Sequence, residues 1–345
     1  MKLINPSYKI INQNPGLDGI YEAIEQAGRT CYKSIGTRYF KLPLGGDNMP
    51  DIWHWVRENL STYTKIEGDG IRSKVLNGYA SIANKDVKNF KGIEEYESEF
   101  NPRYHQNITA KEFVDRMVKS GHHAMLEFGT VYLAMECDDL NEEKYKLNDY
   151  SKALVYNNTL YVTTNYRVLV EHGWLDDLEY LCEPTEYHEK RVCVRFTTDR
   201  GVANELVRHR TFSFAQESTR YCNYSKDKFG NELTFIIPSW CDLKDSSINS
   251  TYTLQFKTIG EMMFVNSMLS SEVYYLQLIE DKYTPQQARQ VLPNALKTEI
   301  NMCGFVSDWK HFFSLRSSHA GAKGMHPDMD KIANMVYDEF NEIYK

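Results

Sequence analysis

The chain has 345 residues, of which 42% are apolar and 25% are charged, and it carries a net charge of −7. That length suits one large domain or two ordinary ones, and the acidic balance argues against a general nucleic-acid binder, which usually presents a basic face. The seven cysteines form no CxxC pair, which favours reduced thiols over a disulfide framework or a zinc site. The N-terminus lacks the apolar run of a signal peptide, and no stretch approaches transmembrane length. We therefore expect a cytoplasmic protein without a membrane partner.

The first predicted elements are helices. Apolar residues at helical spacing in 20–27 predict a helix that Gly28 would end as a C-terminal cap. Residues 36–105 are mixed in character and predict a peripheral, partly helical elaboration. A capping box at Thr109 predicts a second helix, which would end near Gly121.

Strand-forming residues dominate the middle of the chain. Three segments, 125–135, 160–164 and 192–197, are rich in the residues that strands prefer. Residues 138–190 are acidic and predict a loop-rich segment with weak helical signals. Asp199 then predicts the cap of a short helix.

The C-terminal third is predicted to be helical. Thr284-Pro285, Ser307-Asp308 and Pro327 each have the pattern of a helix start. Strands in the middle with helices at both ends predict an α+β fold.

A cationic motif follows the short helix. The segment RHRTFSFAQESTRY, from Arg208 to Tyr221, contains three arginines, a histidine and two serines, with Glu217 as its one acid. In an extended segment Ser218 and Arg220 would point the same way, and a hydroxyl beside a guanidinium suits phosphate binding. The alternative is a solvated basic patch, which the interleaved aromatic residues make less fitting.

Two later arginines raise a related question. Arg316 shares the apolar stripe of the segment SDWKHFFSLRSSH, and a buried arginine must find an anion. That anion is either a core Asp or Glu or the phosphate of a ligand. Arg289 in ARQVLP poses the same question more weakly. These residues predict an enclosed pocket for a phosphorylated ligand, but they do not identify a reaction.

The cationic motif resembles the signature of the flavin-dependent thymidylate synthases, an RHR triplet followed by seven residues and a serine. Here the triplet is 208–210 and the serine is Ser218. Further segments resemble the family in the same order along the chain: AGRTCYKS (27–34), SGHHAMLEFGTVYL (120–133), ARQVLP (288–293) and FFSLRSSH (312–319). The resemblance covers most of the chain except about 36–105 and 138–190, which look like insertions.

The resemblance implies a fold and a reaction. It implies a single domain over 1–345, with a central, mainly antiparallel sheet flanked by helices and with the two insertions. It also implies that dUMP is methylated to dTMP with methylenetetrahydrofolate as donor, FAD as hydride carrier and NADPH as reductant. A homotetramer whose active sites draw on several subunits is implied as well.

The resemblance also assigns roles to individual residues. The expected FAD contacts are Arg208, His209 and Arg210. The expected dUMP contacts are Gln216, Ser218, Arg220, Arg289, Arg316 and Glu205, the last at a position where many relatives have glutamine. Arg220, Ser218 and Arg316 form the expected catalytic set, with Arg220 stabilising negative charge that develops on the uracil carbonyl. We expect Ser218 to bind ligand rather than act as a nucleophile, because no histidine base is placed to activate it.

The chain departs from the family pattern on the flavin side. Phe128 stands where relatives often have histidine, and His122 or His123 could replace it. Phe305 and Ser307 stand where some members have Asn and Arg, and His311 and His319 are candidate replacements that would contact the cofactor. These departures keep two other hypotheses open: a catalytically inactive protein that binds dUMP and FAD, and an NADPH-dependent flavin reductase.

Overall fold

The computed structural model describes residues 1–34, 37–41, 79–83, 108–226, 229–248 and 255–344. The helices are α1 (Gly16–Tyr32), α2 (Ile108–Ser120), α3 (Asp139–Lys146), α4 (Tyr166–His172), α5 (Arg200–Leu206), α6 (Ile259–Glu280), α7 (Pro285–Ala288), α8 (Val306–Arg316) and α9 (Pro327–Ile343). The strands are β1 (Lys2–Ile4), β2 (Ser7–Ile11), β3 (Thr37–Lys41), β4 (Tyr79–Ala83), β5 (Thr130–Glu136), β6 (Lys152–Tyr156), β7 (Thr159–Asn165), β8 (Arg191–Asp199), β9 (Ser213–Gln216), β10 (Thr234–Ile236), β11 (Ser246–Ser247) and β12 (Lys297–Phe305). The mixture of helices with largely antiparallel sheets confirms the predicted α+β class.

A four-stranded antiparallel sheet forms the centre, in the order β2-β8-β12-β9. Alternate residues of β8 are buried, as expected for a strand whose two faces differ. One face packs against α5, α8 and α9 around Phe196, Met302 and Trp309. The opposite face carries Cys303 and Ala215 and packs on Ala27 of α1. The sheet thus lies between two layers of helices.

Residues 138–190 are more regular than the sequence predicts. They hold α3, β6, β7 and α4, and β7 pairs with both β5 and β6. The prediction of a loop-rich segment is wrong, because apolar residues of β5 and β7 join α1 and α2 in a second core, which includes Leu133, Val162 and Phe113. Most of the other predicted insertion, 36–105, lies outside the described residues.

A third sheet, in the order β10-β1-β11, covers α6. The Met1 amino group is buried there and pairs with Glu272 of α6 at 2.9 Å. None of the helices in the described ranges is both long enough and apolar enough to cross a membrane.

Several helix starts follow the predictions. The Asp199 carboxylate accepts a hydrogen bond from the Val202 N–H and caps α5. Pro285 begins α7 and Pro327 begins α9, whereas α2 begins at Ile108, one residue before Thr109.

Gly28 does not end α1. The helix continues to Tyr32 and ends at Lys33, which has a positive φ of 46°. A Cβ on Gly28 would lie 2.3 Å from Cζ of Phe113, so the glycine permits the close packing of α1 on α2. Its role is tertiary, not that of a cap.

Two further elements differ from the predictions. Strand β12 runs from Lys297 through a segment predicted to be helical. The segment 125–135 begins with a 3-10 turn, His123–Phe128, before β5.

Candidate active site

The two groups of predicted site residues lie at opposite ends of β9. This short strand pairs with β12, with Ser213 opposite Cys303 and Gln216 opposite Ile300. Residues 208–210 precede the strand, and Ser218 follows it. The first four residues after Phe212, Ser213–Gln216, thus form a strand inside the cationic motif.

At the first end, Arg316 joins two other predicted residues. Its Nη1 lies 2.9 Å from Oε2 of Glu205 in α5, and its Nε donates to Nε2 of His209 at 3.1 Å. The His209 ring packs against Phe312 with 4.9 Å between ring centroids. The anion that Arg316 needs within the chain is therefore a carboxylate, one of the two partners that the sequence left open.

The surroundings of His209 keep its imidazole neutral. Burial, followed by the positive charge of Arg316 and by His311, lowers the pKa of His209 to about 4. Because Arg316 donates to Nε2, the ring proton resides on Nδ1, which can donate to a ligand. Side-chain exposures of 20% for Arg316 and 25% for Glu205 leave this group within reach of a bound molecule.

At the second end, the chain turns instead of continuing extended. The N–H groups of Tyr221 and Cys222 both donate to the Ser218 carbonyl, and the Arg220 N–H donates to Ser218 Oγ at 3.3 Å. The extended geometry in which Ser218 and Arg220 would point the same way is therefore absent here, because these bonds close a helical turn. Arg220 is exposed, with its guanidinium over the Tyr221 ring at 5.2 Å.

Two further predicted residues converge on this turn. Arg289 Nη1 donates to the Thr219 hydroxyl at 3.4 Å, and Gln216 Nε2 donates to the Thr298 hydroxyl at 3.3 Å. The Ser218 N–H donates to the carbonyl of Cys31 at the end of α1. Gln216, Ser218, Arg220 and Arg289 therefore belong to one neighbourhood, as the family resemblance implies.

A buried charge cluster holds this turn, and sequence reasoning missed it. Glu217, only 2% exposed, accepts hydrogen bonds from Lys297 Nζ at 2.8 Å and from the Tyr224 hydroxyl at 3.1 Å. Glu299 pairs with Lys297 at 3.0 Å and also with Lys33. The available signal was Glu217 itself, the one acid in a cationic motif, since a buried acid requires a cation.

The ionisation of this cluster follows from its contacts. Burial by itself would raise the pKa of Glu299, but the positive charges of Lys297 and Lys33 outweigh burial and lower that pKa to about 2. Burial lowers the pKa of Lys33, whereas Glu217 and Glu299 overcome burial and raise the pKa of Lys297. Lys297 is the cation on which both carboxylates depend.

The remaining cationic residues of the motif point outward. Arg208 and Arg210 are exposed, and within the described ranges their guanidinium groups have no acidic partner. Exposed guanidinium groups of this kind suit the pyrophosphate of a dinucleotide cofactor.

The two predicted histidine replacements differ. His311 is exposed on α8, close enough to His209 to affect its pKa. His319 instead pairs with Asp338 of α9 at 2.9 Å.

The positions that depart from the family pattern are occupied by packing residues. Phe128 is 3% exposed in a small cluster with Ala27 and Ala215. Phe305 is 6% exposed, with the Arg191 guanidinium 5.7 Å from its ring. Of the candidate replacements for Phe128, His123 pairs with Glu171 of α4 at 2.9 Å.

Ser307, the second residue of α8, contacts a neighbouring segment. Its backbone N–H donates to Glu189 Oε1 at 3.0 Å.

The two groups are separated along β9. Residues 213–215 lie between them, a length of roughly 10 Å at about 3.3 Å per residue. A cavity of ≈ 330 Å³ on the sheet face under α1 is lined by none of the predicted site residues. Among the described residues, no three His, Cys, Asp or Glu side chains are arranged to hold a metal ion.

Comparisons with known proteins agree with the motif. Residues 188–344 match the family model described as thymidylate synthase complementing protein. A flavin-dependent thymidylate synthase of Corynebacterium efficiens is 33% identical over 125 residues, which are 34% of this chain and 46% of the relative. A probable flavin-dependent thymidylate synthase of Paramecium bursaria Chlorella virus 1 is 27% identical over 149 residues, 43% of this chain and 67% of the relative.

The matched part is limited in length. The chain spans about half the length of the first bacterial relatives that it matches. Among solved structures, a UMP/dUMP methylase from Streptomyces cacaoi bound with 5-Br UMP is 19% identical, with a TM-score of 0.35 over 44% of this chain and 69% of the other. The part of the chain that carries the family match contains the cationic motif, Arg289 and Arg316.

Proposed function

We propose that this protein methylates dUMP to dTMP, because residues 188–344 match the family model described as thymidylate synthase complementing protein. Methylenetetrahydrofolate would donate the carbon, FAD would carry the hydride and NADPH would be the reductant. The observation that carries the proposal is the contact of Arg316 with both Glu205 and His209. It joins a residue proposed to hold dUMP to one proposed to face the flavin.

The second end of β9 supports a phosphate-binding role. Arg220 and Arg289 present guanidinium groups at one turn, and the Ser218 hydroxyl accepts from the Arg220 N–H while keeping its own proton free to donate. Charge-assisted bonds from arginine to phosphate are strong and bidentate. We assign the dUMP phosphate to this turn, together with Gln216.

The first end supports a role at the uracil ring. Glu205 can accept from an imide N–H of the base, and Arg316 can donate to a carbonyl on which negative charge develops. A carboxylate already paired with an arginine costs less to bury under a ligand than a free one. Arg220 would provide the same electrostatic stabilisation where a second subunit brings its turn beside this end of β9.

The flavin side is supported by the chemistry of the donors. Arg208 and Arg210 have the exposed guanidinium groups that a pyrophosphate needs, and neutral His209 offers an Nδ1–H donor. When bound, FAD supplies hydride transfer, for which no side chain is suited. The residues present therefore fit the cofactor, with Phe128 and Phe305 adding apolar surface instead of hydrogen bonds.

The first test measures NADPH oxidation and dTMP formation by the purified protein with FAD and methylenetetrahydrofolate, with and without dUMP. Oxidation stimulated by dUMP together with dTMP formation is the expected result. Oxidation that is indifferent to dUMP and yields no dTMP would indicate the flavin reductase instead. A folded, flavin-free protein that binds dUMP but makes no dTMP would indicate the inactive binding protein.

A variant tests the assigned arginine. Arg220→Ala should lower the rate of dTMP formation by about 100-fold or more, because one preorganised donor to developing charge is worth that much. Since Arg220 is exposed, the circular dichroism spectrum and melting temperature of the variant should match those of the parent protein. Arg116→Gln, an exposed arginine on α2, is the matched control and should keep full activity. Retained activity in Arg220→Ala would remove this residue from the mechanism.

A further inference from the structure

A cavity separate from both ends of β9 opens on the central-sheet face that α1 covers. Its volume is ≈ 330 Å³, within the range of small-molecule sites. It is bounded by residues 11–16, by α1 and by residues 181–184, which lie between two of the sheets. Arg195 of β8 and Asn301 of β12 form its floor, opposite each other in the strand register.

The floor contains hydrogen-bond donors that lack acceptors. Asn301 is 1% exposed, and its Oδ1 accepts from Arg195 Nε at 2.9 Å. Its Nδ2 is buried without any partner among the described residues. A buried N–H without an acceptor is costly, so an acceptor supplied by a ligand would relieve that cost.

Positive charge converges on the same cavity. Within the described ranges, the terminal nitrogens of Arg195 and the exposed Nζ of Lys190 have no acidic partner. Arg191 also lines the cavity, but its guanidinium is already bonded to the Glu127 carbonyl at 2.9 Å. The acid in the lining, Glu183, is exposed.

The start of α1 adds to the positive potential. Pro15 and Gly16 line the cavity, and no side chain caps this 17-residue helix. The N–H groups of a helix N-terminus, together with the helix dipole, favour anions. Asp18 in the first turn offsets part of this potential but does not line the cavity.

Apolar side chains form part of the remaining wall. Ile20 and Ala23 of α1 face the cavity, and Tyr344 lies at its border. A bare inorganic ion would leave these walls unused, whereas an organic molecule would cover them.

We propose that this cavity binds a small organic anion, a phosphate monoester or a carboxylate. Its charged group would lie at Arg195, Lys190 and Asn301, and its apolar body would lie against Ile20. None of the charged or polar groups proposed to hold dUMP or FAD lines the cavity, although Phe128, on the flavin side, forms part of its wall.

Binding is tested on the full chain with three probes that share a ring: phenyl phosphate, benzoate and uncharged benzyl alcohol. Calorimetry gives their affinities, and hydrogen exchange identifies the protected segments. We expect one anion to bind at millimolar concentration or better and to protect 11–20 and 190–196, with benzyl alcohol much weaker. Tighter phenyl phosphate would identify a phosphate monoester, and tighter benzoate a carboxylate.

Variants tie the binding to named residues. Arg195→Gln should raise the dissociation constant of the anion by about tenfold or more, and Lys190→Glu should raise it as well. Arg116→Gln, the control on α2, should leave it unchanged. If Arg195→Gln does not fold, the dissociation constant of the Lys190→Glu variant tests the proposal instead. Lys190 is exposed, so its replacement does not disturb packing.

Three results would overturn the proposal. The first is equal affinity for benzyl alcohol and the anions, and the second is no binding of either anion. The third is protection confined to 216–222, which would place the anion at the turn that we assign to the dUMP phosphate. Repeating the titrations with the protein saturated with dUMP blocks that turn, so that any remaining anion binding belongs to the cavity. Absence of binding at the cavity would therefore not count against the proposed methylation of dUMP.

Discussion

At the residue scale, the site depends on how charges are paired. Arg316 was expected from its apolar stripe to need an anion, and Glu205 is that anion. Its guanidinium also reaches His209, so a single arginine fixes the orientation of a carboxylate and the tautomer of an imidazole. The family resemblance named all three residues, but only the structure shows that they touch.

The pKa of His209 tests this arrangement. In Arg316→Gln, loss of the positive charge should raise that pKa from about 4 toward, but not to, the ordinary 6.5, because burial remains. Titration of the His209 ring protons by NMR measures it, and Arg289→Gln should leave the value unchanged. An unaltered pKa in Arg316→Gln would mean that burial alone keeps His209 neutral.

The sign of the accompanying pH dependence follows from the lowered pKa. Between pH 6.5 and about 4 the unfolded chain binds a proton at this position that the folded chain resists. The contribution of His209 to the free energy of unfolding is therefore complete above pH 6.5 and is lost as the pH falls through about 4.

The buried acid Glu217 supports a second prediction. Glu217→Gln should lower the free energy of unfolding by about 1.5–3 kcal/mol, because Lys297 loses one of its two carboxylate partners and Glu299 alone must then pair with Lys297 and Lys33. Urea denaturation measures the loss. The double variant Glu217→Gln, Lys297→Met should lose less than the sum of the two single changes, whereas additive losses would show that the two residues are not coupled.

At the element scale, helix starts could be predicted and strand positions often could not. Asp199, Pro285 and Pro327 begin helices because capping and proline geometry are local properties. The sequence did not predict strand β12. The strand is buried between two other strands, so its residues do not alternate between exposed polar and buried apolar positions. Gly28 was misread as a cap because the contact that requires a glycine lies on another helix.

The packing of α1 on α2 gives a prediction at this scale. Gly28→Ala should lower the free energy of unfolding by about 1–2 kcal/mol, since overpacking outweighs the helix propensity that alanine gains. Thermal denaturation measures it, and Phe113→Leu in the same chain should recover part of the loss.

The matched control for that change is Gly260→Ala in α6, where the added Cβ would meet Trp240 at an ordinary 3.6 Å. That change should be neutral or stabilising. A stable Gly28→Ala protein would mean that α1 and α2 separate at little cost.

At the scale of the whole molecule, the two half-sites at opposite ends of β9 suggest that a second copy completes the site. The predicted homotetramer would place the Arg316 group of one subunit beside the Arg220 turn of another. No single chain needs to bridge β9 in such an assembly, which remains a prediction.

Complementation tests this directly. Arg220→Ala and Arg316→Ala should each be inactive alone, but assemblies that contain both chains should regain part of the dTMP-forming activity. The two chains are co-expressed with different affinity tags, purified through both tags and assayed, with each variant alone as the control. No recovery in verified mixed assemblies would place both arginines of a site on the same chain.

The sequence by itself determined the family motif, the α+β class and the identity of most candidate site residues, because these depend on residue types at fixed local spacing. Only the tertiary structure decided that Arg316 pairs with Glu205, that Lys33 and Lys297 hold Glu217, and that Arg195 and Asn301 share a cavity floor. Each of those contacts joins residues far apart in the chain. Their formation depends on which strand pairs with which and on how closely the helices pack, and neither is encoded in a local pattern.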